Sequence, residues 1–177
     1  MKFSPHILCA IILVAGSPKL SARLGNSLDE CKQRYGDPTS GPEDHHVVSQ
    51  DGSRFVPKKY GFSAAGLDIE VLILSYVDAN SPYEDVIKIN YSKADGSAFN
   101  VWEVETLLSK NANAVWVSSK SKDLEVTNWQ TGDGSRFAKL EKGAGLTVWS
   151  EKWNQISSAA SKQPTEKEKA EKDVEDL

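Results

Sequence analysis

The stretch Gly25-Asn26-Ser27-Leu28-Asp29-Glu30-Cys31-Lys32-Gln33-Arg34-Tyr35-Gly36-Asp37-Pro38 constrains the fold most, because both ends of a short helix are written into it. Ser27 and Glu30 have the spacing of a capping box, in which each side chain satisfies the other residue's backbone N–H. Asp29 and Glu30 lie at the positive end of the helix dipole and Arg34 near its negative end. Leu28, Cys31 and Tyr35 share one face at spacings of three and four, a narrow apolar stripe. Gly36 supplies a left-handed C-terminal residue, and Pro38 stops the helix. So short a helix is marginal alone in water, so it needs a sheet to lie on.

The segment before it reads as an export signal. Lys2 gives a weakly positive start, Ile7 to Gly16 is apolar, and Leu20-Ser21-Ala22 offers a small residue for cleavage. Residues 1–22 are therefore expected to be a signal peptide, with the mature chain starting near Arg23 and a periplasmic or secreted destination. The apolar run is short for a bilayer span, so no stable membrane insertion is expected after cleavage. Leu8 before Cys9 does not fit a lipoprotein cleavage site. Loss of Lys2 and Lys19 leaves 19 basic against 25 acidic residues, a net charge of −6, which disfavours nucleic acid and anionic membranes as partners. Cys9 leaves as well, so Cys31 has no intramolecular disulfide partner, and stability must come from a core. Cys31 itself is expected to be a buried apolar group.

The rest reads mostly as sheet. Thr39 to Gln50 is a polar loop, Asp51-Gly52 a turn, and Arg54 to Phe62 a strand in which Pro57 marks an edge or a break. Leu67 to Val77 is apolar almost throughout, the pattern of a central strand covered on both faces. Asp78 to Glu84 is a connecting loop, and Val86 to Tyr91 a half-buried strand with Lys88 and Asn90 outward. Asn100 and Glu103 cap a second helix whose stripe is Val101, Val104, Leu107 and Leu108, with Asn111 taking the left-handed C-terminal position. Short strands follow at Val115–Ser118, Leu124–Trp129, Arg136–Leu140 and Leu146–Trp153, with a turn at Asp133-Gly134. The expected fold class is α+β, two short helices packed on an antiparallel sheet. The α+β domain is expected to span residues 23–156, with 23–95 and 96–156 as its halves if it is a repeat, and residues 157–177 are expected to be a charged tail, either disordered or a frayed solvated helix.

Asp51-Gly52-Ser53-Arg54-Phe55 recurs as Asp133-Gly134-Ser135-Arg136-Phe137, each copy downstream of a capped helix. Two readings stand: a tandem α-β-β repeat with both helices on one face of the sheet, or a chance match of a common turn token.

The run Leu24-Gly25-x-Ser27-x-x-Glu30-Cys31-x-x-Arg34-Tyr35-Gly36-x-Pro38 after a signal peptide resembles a group of small exported bacterial proteins of unknown function. In fold plan it is more distantly similar to beta-lactamase-inhibitor-protein-like and SmpA/OmlA-like domains. The resemblance implies a first helix ending in a Gly-x-Pro turn that leads into an antiparallel sheet. The chain departs from those domains in lacking a lipoprotein cysteine and disulfide pairs. Fold similarity carries no function with it.

Chemistry-bearing clusters are sparse. A Cys31 nucleophile would need His45 or His46 as its base, yet the thiol sits on a helix's apolar face. Glu43, Asp44, His45 and His46 offer metal-ligand types, but adjacent histidines in an extended loop point apart. No Gly-x-Ser-x-Gly, phosphate loop or dinucleotide fingerprint occurs. No catalytic residue, metal site or cofactor is assigned, and the chain is not expected to be an enzyme. The five tryptophans (Trp102, Trp116, Trp129, Trp149 and Trp153) all follow residue 100. They either fill a core or form an aromatic binding strip, and Trp149, Trp153 and Trp129 are the candidate binding residues, the first two on one strand face around Glu151. The expected function is a non-catalytic protein-interaction or envelope accessory module with another envelope protein as partner. The alternative is a small-molecule or glycan-binding protein using a tryptophan-lined sheet face.

Overall fold

A computed structural model describes residues 23–48, 54–78, 81–120 and 125–160. The expected signal peptide, the Asp51-Gly52 turn and the chain beyond residue 160 lie outside them. The elements are α1 (Leu28–Tyr35), β1 (Ser40–Asp44), β2 (Val47–Val48), β3 (Arg54–Phe55), β4 (Lys58–Ala64), β5 (Leu67–Asp78), β6 (Ser81–Lys93), α2 (Val101–Asn111), β7 (Trp116–Lys120), β8 (Val126–Thr131), β9 (Arg136–Glu141), β10 (Gly145–Ser150) and α3 (Glu151–Ala160). The fold is α+β, with eight strands in one antiparallel sheet.

Both capping boxes form. In α1 the Ser27 N–H donates to Glu30 Oε2 at 2.9 Å and the Glu30 N–H to Ser27 Oγ at 3.3 Å. In α2 the Asn100 N–H donates to Glu103 Oε2 at 2.8 Å and the Glu103 N–H to Asn100 Oδ1 at 2.9 Å. The end of α2 differs from expectation. Ala112 caps it in an extended conformation, and Asn111 turns inward, donating from Nδ2 to Tyr91 Oη at 3.1 Å and to the Leu107 carbonyl at 2.9 Å. The Arg136 guanidinium donates to the Asn111 carbonyl, doing the work a left-handed cap would have done.

The strand order is β1-β4-β5-β6-β10-β9-β8-β7. Each half therefore contributes a helix followed by four strands of the sheet, and the halves join through their last strands, β6 and β10. The join is antiparallel, with Tyr91 opposite Leu146 and Ile89 opposite Val148. The pentapeptide repeat does not mark this plan. Arg54-Phe55 lies in β3, which pairs with β2 in a separate two-stranded sheet, whereas Arg136-Phe137 opens β9 in the large sheet.

The main core lies on the face covered by α1 and α2. Cys31, Tyr35, Val104, Leu107 and Leu108 pack there against Phe62, Ile69, Val71, Ile73, Ile89, Tyr91, Leu146 and Val148. A second, smaller core on the opposite face joins Leu72, Leu74 and Ile87 to Val47, Phe55, Trp153 and Ile156. That is why β5 is apolar at successive positions: its later half is covered on both sides.

Three sequence expectations are corrected. Among the described residues there are three helices, not two: Leu146–Trp153 is not one strand, because β10 ends at Ser150 and α3 begins at Glu151. The turn is fixed by the Glu151 N–H on the Ser135 carbonyl and by Ser150 Oγ on the Ile87 carbonyl, while Ile156 supplies the burial that holds the helix down. This helix continues to Ala160, past residue 157, where the charged tail is expected to start. Finally, the expected loops at Thr39–Gln50 and Asp78–Glu84 contain strand: β1 pairs with β4, and β6 already begins at Ser81 opposite Asp78.

Candidate functional site

The site is built on the face opposite α1 and α2. Strand alternation places Glu43, Lys59, Glu70, Asn90, Thr147 and Lys139 there, on β1, β4, β5, β6, β10 and β9. The first five make a connected polar ladder across five strands. Lys59 Nζ lies 2.6 Å from Glu43 Oε2 and 3.7 Å from Glu70 Oε2. Asn90 Nδ2 donates to Glu70 Oε1 at 2.8 Å, and Thr147 Oγ1 donates to Asn90 Oδ1 at 3.0 Å. Glu43 and Glu70 hold the Lys59 ammonium above its ordinary pKa. A cleft of about 350 Å³ opens over this ladder, with Ser40, Lys59, Asp68, Glu70, Asn90 and Ser92 among its lining.

An aromatic row runs beside the ladder. Phe137 faces Trp149 across β9 and β10, the rings stacked with centroids 5.9 Å apart and 17° between planes. Lys88 faces Trp149 from β6 and carries its ammonium 5.0 Å from the Trp153 ring centroid. His45 closes the row, its ring 5.9 Å from that of Trp153. Burial lowers the Lys88 pKa, against the opposing pull of the Glu70 charge. A desolvated ammonium over an indole is worth about 1 kcal/mol or more, so Lys88 both fixes Trp153 and presents a cation beside it.

The expected tryptophan site is thus rearranged. Trp149 and Trp153 do lie on one side of the sheet, but on β10 and α3 and not on one strand, with Lys88 between them and Glu151 at the start of the helix. Both are half-buried. Trp129 is on the other face, packed with Trp116 against the main core. Trp102 is 72% exposed on α2. Lys88, Phe137 and the ladder went unassigned in the sequence reading. The outward Lys88 and Asn90 on an otherwise apolar strand were the signal available, but their partners come from strands far along the chain.

Cys31 is fully buried, and desolvation pushes its thiol up to about 12, with Arg34 opposing and Glu30 adding a little. A thiolate nucleophile is not available there at neutral pH. His45 and His46 are exposed, and Glu43 beside them is committed to Lys59. Among the described residues no group of three or more His, Cys, Asp or Glu side chains could hold a metal ion, and no helix is long and apolar enough to cross a membrane. Comparison of the chain with protein-family models, curated proteins and solved structures found no match.

Proposed function

We propose that this chain is an exported, non-catalytic binding module that docks another envelope protein on the uncovered part of the sheet face opposite α1 and α2, with the Phe137–Trp149 pair as the apolar anchor and the polar ladder as the specifying surface. The observation that carries the reading is the ladder itself. Its charged and amide groups are already oriented by one another, so a partner meets them without ordering flexible side chains first. Aromatic groups beside fixed polar groups are the composition that gives interfaces their hot spots. The leader-like residues 1–22 support export, and the acidic balance supports a partner other than nucleic acid.

The test is affinity capture from an envelope extract with the whole chain and with Trp149→Ala and Lys59→Gln variants whose folding is checked by circular dichroism. A partner retained by the natural chain and lost from both variants supports the reading, and equal retention by all three removes it. A second reading, small-molecule or glycan binding, draws on the 350 Å³ cleft, which is within the size range of ligand pockets. Chemical-shift changes at Glu70 and Asn90 on adding oligosaccharides, with no protein partner captured, would favour it.

A further inference from the structure

The chain ahead of α1 is tied down before the helix begins. The Arg23 N–H donates to Asn26 Oδ1 at 2.8 Å, and the Asn26 N–H donates to the Arg23 carbonyl at 3.0 Å. The Gly25 N–H donates to the Val86 carbonyl on β6 at 2.9 Å, the Val86 N–H donates to the Asn26 carbonyl at 2.8 Å, and Leu24 is buried in the main core. Between this segment and the end of α2 is a cleft of about 480 Å³. Its charged lining is Arg23, Lys110 in the last turn of α2, and Arg136 at the start of β9. Among the described residues no aspartate or glutamate lines it, although the chain as a whole has 25 acidic against 21 basic residues.

The C-terminal end of a helix is ordinarily a poor place for an anion, because its free carbonyls are negative. Here two of them are occupied. The Leu108 carbonyl accepts from the Ala112 N–H and from Trp116 Nε1–H, and the Asn111 carbonyl accepts from the Arg136 guanidinium. The end of α2 therefore accounts for Arg136, and Lys110 complements the same dipole. It does not account for Arg23. That side chain is exposed, and its guanidinium has no hydrogen-bond or ion-pair partner among the described residues. Arg136 and its neighbour Phe137 alternate to opposite faces of β9, so the cleft is separate from the proposed docking face.

We infer that the Arg23–Lys110–Arg136 cleft binds a small molecule carrying two or more negative charges on oxyanion groups, either a phosphate ester or a compound with several carboxylates. Guanidinium forks pair with the oxygens of either acid, and the lysine adds a point charge. Charge sets the valence, because a monoanion would leave most of the positive charge of the cleft unmatched. The backbone bonds that hold Arg23 before a ligand arrives lower the cost of ordering it. The volume is within the size range of ligand pockets and leaves room for the body that carries the acid groups.

The test is calorimetric titration of the whole chain with inorganic phosphate, citrate and acetate at fixed ionic strength. One-to-one binding of phosphate, citrate or both is expected, with acetate about tenfold weaker or more. Whichever of the first two binds more tightly identifies the kind of acid group. Arg23→Gln and Lys110→Gln should each weaken binding about tenfold, the effect of losing one charge-assisted hydrogen bond. Lys32→Gln makes the same change in net charge on α1, outside the cleft, and should leave binding unchanged. Circular dichroism checks that the three variants fold, and Arg23, being exposed, is the least disruptive to replace. The inference fails if neither phosphate nor citrate binds with a Kd below about 10 mM. It fails equally if acetate binds as well as they do, if Arg23→Gln and Lys110→Gln bind as the natural chain does, or if Lys32→Gln loses as much as they do.

Discussion

Trp149 Nε1 donates to Asn154 Oδ1 at 2.6 Å, tying β10 to α3 five residues after the chain has changed from strand to helix. The bond locks the indole in the plane where it stacks on Phe137, so the aromatic row and the seat of α3 are one unit. Trp149→Phe keeps the stack and loses the bond, and should cost about 1 kcal/mol. Asn154→Ala should cost a similar amount, and the double variant little more than either, because the two changes remove the same interaction. Urea unfolding of the four proteins measures the coupling, and strictly additive losses would show that the bond contributes nothing.

A buried thiol and two tyrosines set the alkaline limit of the fold. Desolvation pushes Cys31 and Tyr91 each up to about 12, Tyr91 against the opposing hydrogen bond from Asn111, and raises Tyr35 further. In the unfolded chain these groups ionise near their ordinary values of roughly 8.5 and 10. Above those values the unfolded state has released protons that the native state keeps, so stability falls as pH rises, by about 1.4 kcal/mol per pH unit for each group involved. Stability should be flat in these groups below about pH 8 and decline from about pH 9 toward 12. Cys31→Ala should delay the onset by removing the group that ionises first. Iodoacetamide should label Cys31 only as fast as the protein unfolds, and rapid labelling of the folded chain would contradict its burial.

The turn between β4 and β5 is a two-residue loop, Ala65-Gly66, with φ of +50° and +76°. Positive φ at both positions is the geometry that suits the strand twist, but alanine is poorly matched to it while asparagine is well matched. Ala65→Asn should therefore stabilise the protein by about 0.5–1 kcal/mol. A rise in the urea midpoint with an unchanged slope is the expected readout, and a fall would mean that the alanine methyl has a packing role.

How far the sequence disclosed this fold depended on whether a signal was local. The Ser27/Glu30 and Asn100/Glu103 boxes were legible because each is complete within four residues. The unbroken apolar run of β5 disclosed cover on both faces, since no one-sided strand needs Val71, Leu72, Ile73 and Leu74 together. The α3 helix was hidden because Leu146, Val148 and Trp149 set up a strand pattern that Trp153 also satisfies, and the contacts that end the strand come from Ser135 and Ile87. Ala65-Gly66 carried no recognisable turn signal for the reason that makes it improvable. The polar ladder was invisible because Glu43 and Thr147 share a surface only once five strands are ordered. The tryptophan site was legible as a concentration of residues and not as an arrangement.

Gly145 opens β10 at the seam between the two halves, with φ of +99°, and a Cβ there would collide with the Tyr91 carbonyl. The close approach sits where the halves join, beside the Leu146–Tyr91 pair that is fully buried in the main core. Gly143, two residues earlier, also has positive φ, +80°, but a Cβ there meets nothing within 4 Å. The pair separates two costs of replacing glycine. Gly143→Ala should lose only about 1–2 kcal/mol, the penalty of a left-handed alanine. Gly145→Ala adds a backbone clash that can be relieved only by parting β6 from β10, and should lose about 3 kcal/mol or more. Chemical denaturation of both variants gives the comparison. Equal losses would mean that the seam yields easily, and that the two halves are held together by their helices and not by the β6–β10 pairing.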